Sequence, residues 1–169
     1  VRNRFCPERF PLAGDDMFFT TVCEYALRAL SHLAVYGEGR PVQVKDIADT
    51  ESIPRHFLAK ILNQLTYKGL VKALRGPGGG FLLTRPADEI LVRDVIESID
   101  SYEAIRRRCV LGLDECSDEA PCPMHDSWKR FRETFLGGIG GLTLAEMGAT
   151  LESKRSASPD KKETATDEG

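Results

Sequence analysis

A mainly helical chain with one small β-hairpin is predicted by three observations. Apolar residues recur at three- and four-residue spacing in successive short segments between Thr21 and Leu65. Two β-like runs, Leu70–Leu74 and Phe81–Thr84, are joined by Arg75-Gly76-Pro77-Gly78-Gly79-Gly80. Beyond them Trp128, Phe131, Phe135 and Leu136 again fall at helical spacing. Helices followed by a glycine-rich, basic-tipped hairpin make a winged helix-turn-helix. The fold class is therefore mainly α with a small hairpin wing, plus a long C-terminal helix.

Residues 1–16 show no period and hold two prolines, so they read as a disordered extension. The first Met stands at position 17, which points to an upstream piece absent from the physiological protein and leaves Cys6 without a role. The first helix is expected from Thr21, with Val22, Ala26, Leu27, Leu30, Leu33 and Ala34 as its apolar stripe. Thr21 and Glu24 have the spacing of a capping box, and Gly37 and Gly39 stop the helix. A short second helix spans about Val44 to Asp49. A third opens at Ser52, tolerates Pro54 in its first turn and ends at Gly69. Phe57, Leu58, Ile61, Leu62 and Leu65 are its buried stripe, with Arg55, His56, Lys60, Asn63, Gln64 and Tyr67 opposite. The glycine density of residues 76–80 demands a tight, φ-positive connection, hence the hairpin.

A fourth helix is expected over Val92–Ile99, completing a winged helix-turn-helix domain at 17–100. A cysteine-rich loop follows at 101–126. The helix after His125 is expected to reach Leu136, where Gly137, Gly138, Gly140 and Gly141 interrupt it, before Leu142–Met147 restarts an apolar stretch. Residues 127–150 have no evident partner in so small a domain, so they read as a dimerisation region buried by a second copy. The polar segment 151–169 reads as a disordered tail.

At 169 residues, with 41% hydrophobic and 29% charged residues, the chain suits one globular domain. No apolar run approaches the ~20 residues that span a bilayer, and no signal peptide is visible. Those readings place the protein in the cytoplasm, without a membrane partner. There, an odd count of five cysteines suggests metal binding rather than disulfides. Net charge is −3, yet Ile53 to Arg85 holds Arg55, Lys60, Lys68, Lys72, Arg75 and Arg85 and no acid. Such segregation makes a positive face on an acidic body and suits phosphate contacts.

Cys109, Cys116, Cys122 and His125 place four soft or borderline donors within 17 residues. Thiolate and imidazole are what iron–sulfur clusters and zinc require. The intervening residues, Gly112, Asp114, Ser117, Asp118 and Pro121 among them, have little apolar surface to fold around. A cluster, a structural zinc ion and free thiols all remain open on the residues alone. Enzyme chemistry is disfavoured: no Cys-x-x-Cys occurs, no base pairs with a thiol, and the glycine run lacks the Lys-Ser/Thr of a nucleotide loop. Arg55, His56, Lys60, Asn63 and Gln64, with Arg75 and Gly76 of the wing, are the candidates for contact with double-stranded DNA. Tyr67 and Trp128 read as packing residues, and Cys23 as a small apolar one.

Three segments together carry a family resemblance: TTVCEYALRALSHLA, GLVKALRGPGGGFLLTRP and CPMHDSW. From about Met17 to Met147 the chain resembles the bacterial iron–sulfur winged-helix regulators of the IscR/NsrR type, the Rrf family. The resemblance implies a homodimeric transcription factor whose cluster occupancy or redox state changes its affinity for an operator. It implies Cys109, Cys116 and Cys122 as cluster ligands. His125 falls on the fourth-ligand position of IscR-like members, which bind a 2Fe–2S cluster, here preferred to 4Fe–4S. Glu24 falls on the NsrR-like position, where an acidic residue reaches across from the partner protomer. Six residues separate Cys109 from Cys116 where IscR has five. Some relatives lack a cluster and respond through thiols or a bound protein.

Overall fold

A computed structural model of the chain describes residues 19–100, 102–113 and 115–157. The disorder expected for residues 1–16, Cys6 among them, and for 158–169 lies outside the described residues. Those described form α1 (Thr21–Tyr36), α2 (Val44–Glu51), α3 (Arg55–Tyr67), β1 (Val71–Leu74), β2 (Gly80–Leu83), α4 (Val92–Ile99), α5 (Tyr102–Arg107), α6 (His125–Gly140) and α7 (Leu144–Ser156). A 3-10 turn at Ala87–Glu89 precedes α4.

Helix α1 is the centre of the core. Its Ala26, Ala29 and Leu30 are fully buried, and α2, α3, α4 and α7 all pack on it. Small side chains on its faces let the other helices approach closely while Ile47, Leu58, Leu62, Leu65, Val95, Ile96 and Leu144 fill the space between. The apolar stripes read from the sequence are the buried ones in α1 to α4.

The start of α1 differs from the expected capping box. Thr20, not Thr21, is the N-cap: its hydroxyl accepts from the Cys23 amide at 3.2 Å, while its own N–H and hydroxyl donate to the Asp100 carboxylate at 3.0 Å. Of two adjacent threonines, the one with a partner across the fold becomes the cap. Glu24 therefore sits one position past the capping-box site and pairs with Arg28 at 3.3 Å.

The turn between α2 and α3 also differs. Ser52 closes α2 in a left-handed conformation (φ +52°) instead of opening α3. The Ile53 amide donates back to the Ala48 carbonyl and the Ile53 side chain is buried, so the chain must turn there and α3 starts after Pro54.

The wing pairs Val71 with Leu83 and Leu74 with Gly80. A third segment, unread in the sequence, anchors it. Val42, just before α2, exchanges two backbone hydrogen bonds of 2.8 Å with Phe81. A Cβ on Gly80 would fall on the Val42 carbonyl, so this close approach needs glycine.

Helix α6 runs through Gly137 and Gly138 to Gly140 rather than stopping at Leu136. Glycine costs only ~1 kcal/mol in a helix, which the packing of Leu136 and Ile139 overrides. Helix α7 likewise continues past residue 151 to Ser156, opened by a true capping box, Thr143 with Glu146. Backbone bonds Val92 N–H to Leu142 O and Leu144 N–H to Ile90 O, 2.8 and 2.9 Å, fasten its start to the core. Gly148 lets α7 lie directly on Ser31 and Val35 of α1. Residues 142–150 thus find in their own chain the partner that the sequence reading assigned to a second copy.

One polar cluster is buried at this junction. The Glu51 carboxylate, 1% exposed, meets His32 Nδ1 at 3.1 Å, Arg28 Nε at 3.6 Å and the Arg155 guanidinium of α7. Arg28 also donates to the Glu51 carbonyl.

Candidate DNA-binding face and cysteine centre

On the outer face of α3, His56, Lys60 and Asn63 are exposed, as expected of groups available to a ligand. Tyr67 is not the packing residue its type suggested. It is 90% exposed at the end of the same helix. Two expected DNA contacts already have protein partners. Arg55 pairs with Asp49 of α2 at 2.9 Å, and Gln64 lies 3.4 Å from the Ser98 carbonyl of α4. Arg75 and Gly76 occupy the exposed tip of the wing, where Gly76 has φ +104°. Lys60, Lys68, Lys72, Arg75 and Arg85 are all exposed and make no ion pair among the described residues. Unpaired cations on a helix and an adjoining wing are the chemistry that phosphate contacts use.

The cysteine segment is folded by a short backbone clasp. The Cys116 amide donates to the Arg107 carbonyl at 2.8 Å, Arg108 bridges to Glu115, and the Gly112 amide donates to the Cys109 carbonyl across a turn. Closing the loop this way returns Cys116 towards Cys109. From the other side, Cys122 and His125 lead into α6, with the His125 amide bonded to the Cys122 carbonyl at 3.0 Å.

The four expected donors come together in two pairs. Cys109 Sγ lies 3.8 Å from Cys122 Sγ, and Cys116 Sγ lies 3.2 Å from His125 Nδ1. Cys109 and His125 are buried, while Cys116 and Cys122 are half-buried. Among the described residues no three His, Cys, Asp or Glu side chains are grouped closely enough to hold a metal ion as they stand. The Leu111 amide beside Cys109 holds its thiol below the usual range, helped by Cys122, the Leu113 amide and the nearby Arg132. Cys23, by contrast, is wholly buried and pushed up to about 12 by that burial and by Asp100.

Asp118, Lys129 and Arg132, which the sequence did not mark as site residues, hold this centre in place together with Trp128. His125 Nε2 lies 2.7 Å from Asp118 Oδ1, and Lys129 Nζ bonds both oxygens of Asp118 at 2.7 and 2.8 Å. Lys129, followed by His125, keeps the Asp118 carboxyl below its ordinary value. Trp128 Nε1 and Arg132 Nη1 both donate to the Arg108 carbonyl, at 2.7 and 3.1 Å. Trp128 is the packing residue expected. Asp118 stands seven positions before His125 in an irregular loop, so no periodicity could reveal it. Glu24, the rival fourth ligand, lies exposed on the first turn of α1.

Residues 19–150 match the model of the Rrf2 family, described as iron-dependent transcriptional regulators. An HTH-type transcriptional regulator of Aquifex aeolicus is 36% identical over 134 residues, covering 78% of this chain and 91% of that protein. IscR of Serratia proteamaculans is 34% identical over 132 residues, covering 78% and 79%. Among solved structures, CymR of B. subtilis aligns with TM-score 0.65 and 24% identity over 78% of this chain and 96% of its own. IscR of T. potens aligns with TM-score 0.60 and 23% identity over 88% and 92%. At those identities the two structures speak to the fold alone.

Proposed function

Since the chain belongs to the Rrf2 family of transcriptional regulators, we propose that an iron–sulfur cluster bound at Cys109, Cys116, Cys122 and His125 controls its affinity for an operator. It acts in the cytoplasm as a homodimer, with no enzymatic step. His125 is the fourth ligand of this reading, because it already faces Cys116 inside the same loop.

The observation that carries the cluster is the pairing of the donors. Around a tetrahedral centre with bonds of ~2.3 Å, neighbouring sulfurs stand roughly 3.8 Å apart. Cys109 and Cys122 have that separation. A two-iron cluster takes two protein ligands per iron, and two pairs are what the loop presents. When bound, the cluster supplies a centre sensitive to oxidants, to nitric oxide or to iron–sulfur supply.

The protein's own part is to link that loop to the DNA-binding face. Arg108, between α5 and Cys109, is tied to Trp128 and Arg132 on the first two turns of α6. Helix α6 packs on α4, and α4 packs on α3, where Gln64 reaches the Ser98 carbonyl. A rearrangement of 109–125 therefore bears on the tilt of α3. In a homodimer the two recognition helices must match half-sites about one turn (~34 Å) apart. A coupling of ~1–3 kcal/mol would change affinity 5–150-fold.

The test is the absorption spectrum and the iron, sulfide and zinc content of protein purified without oxygen, with operator binding measured before and after cluster removal. Bands between roughly 320 and 460 nm with equal iron and sulfide support the reading. A colourless protein holding one zinc ion refutes it. One observation favours a second reading: the close Cys109 and Cys122 sulfurs, with Cys109 biased towards thiolate, suit a thiol-responsive switch in a colourless, metal-free protein.

A further inference from the structure

His125 has two ring nitrogens, and only one can meet the cysteine centre. Which one does so is decided by what holds the other. Nδ1 faces Cys116 Sγ at 3.2 Å, while Nε2 faces Asp118 Oδ1 at 2.7 Å. Asp118 is itself an exposed loop residue, its side chain 71% accessible, and would not hold a ring in place unaided. Lys129 supplies the anchor by bonding both of its oxygens. Lys129 stands four residues after His125 on α6, so the imidazole and the ammonium rise from one helix face and grip the carboxylate together. The Ser117 hydroxyl accepts the Glu119 amide at 3.0 Å and turns the loop so that Asp118 points at both.

We propose that Asp118, clamped by Lys129, is a positioning residue that fixes His125 with Nε2 protonated and Nδ1 free to ligate. The inference rests on the reading of residues 109–125 as the cluster-binding loop. It adds an outer residue that neither the cysteine spacing nor the fold assigns. Carboxylate partners of this kind typically change metal retention 10–100-fold.

The clamp has a readout that needs no cluster. In metal-free, reduced full-length protein, at a pH where the ring is neutral, 15N NMR of His125 should show the Nε2–H tautomer. Asp118→Ala should give a mixture. Asp118→Asn keeps an oxygen that can accept from Nε2–H and should restore most of the preference. Lys129→Met should fall between the two. In protein reconstituted with iron and sulfide, Asp118→Ala should lose its cluster to a chelator at least about tenfold faster than the parent, with an altered electron paramagnetic resonance spectrum on reduction. Because Asp118 is exposed, each variant should melt as the parent does, which separates positioning from folding.

Parent protein that loads iron and sulfide while Asp118→Ala matches it in tautomer and retention would overturn the clamp alone. Parent protein that takes up no iron or sulfide would remove the cluster reading and the inference with it. An Nδ1–H tautomer in the parent would overturn the inference whatever the cluster does.

Discussion

Removal of the Glu51 carboxylate is the sharpest test of how the C-terminal helix is joined to the DNA-binding core. The group is 1% exposed and faces one imidazole and two guanidinium groups from α1 and α7. Deleting one partner of a buried ion pair usually costs ~3–5 kcal/mol, because the remaining charges lose their compensation. Arg28 and Arg155 keep 31% of their side-chain surface in water and can partly rehydrate, whereas His32, 5% exposed, cannot. Glu51→Ala should therefore fall near the lower end, ~3 kcal/mol. For a folded body of this size that is a drop of roughly 6–12 °C in Tm. Arg155→Ala alone should cost ~1–2 kcal/mol, and the double variant should show a coupling of at least ~1 kcal/mol in a double-mutant cycle. The comparison pair is Arg40 with Glu38, whose side chains are 78% and 72% exposed; its removal should stay within ~1 kcal/mol. Thermal and urea unfolding of the cycle's four proteins and of the comparison variant decide the matter. A Glu51→Ala melting point within ~2 °C of the parent would refute the reasoning.

Gly80→Ala should push Phe81 off Val42, lose two backbone hydrogen bonds and cost ~2–3 kcal/mol, with weaker binding to any DNA duplex; unchanged melting and binding would show that the wing does not need the Val42 anchor. In metal-free protein at pH 8, a thiol reagent should modify Cys116 and Cys122 rapidly and Cys23 only at the rate of unfolding, read by mass spectrometry of timed samples. Glu146 accepts from the Thr143 amide and hydroxyl, which hold its carboxyl below the ordinary 4.5. A lowered carboxyl value means stability fully present above that ordinary value and lost as pH falls through the lowered one. The fall in Tm of the parent between pH 5 and pH 3 should thus be steeper than that of Glu146→Gln, and parallel curves would refute the cap's ionic part.

The sequence made some of this legible and hid the rest for physical reasons. Helix α4 is read to the residue, Val92–Ile99, because its valines and isoleucines face one way and nothing tertiary competes. The stripes of α1 and α3 are equally plain. Their starts are not: Thr20 outranks Thr21 only because Asp100, 80 positions away, completes the cap. Ser52 is left-handed because Ile53 is buried, which no local propensity states. At the cysteine centre the soft donors were legible by residue type alone. Asp118, Lys129 and Arg132 were not, since an ordinary charged residue becomes part of a site only through a fold that brings it there.

Helix α6 is one helix with two unequal ends. Its first turns are tied to Arg108 through Trp128 and Arg132, while its last run through Gly137 and Gly138, where added Cβ atoms would meet only open space. Each of those glycines lowers the local cost of opening by ~1 kcal/mol relative to alanine. Amide exchange should be slowest near Lys129 and fastest near Gly138. The soft end works as slack between two attachments. Were a displacement to enter α6 from the cysteine loop, that end would yield before it reached Leu144, leaving α7 seated on α1 while the helices packed on α6, α4 and α5, took up the change.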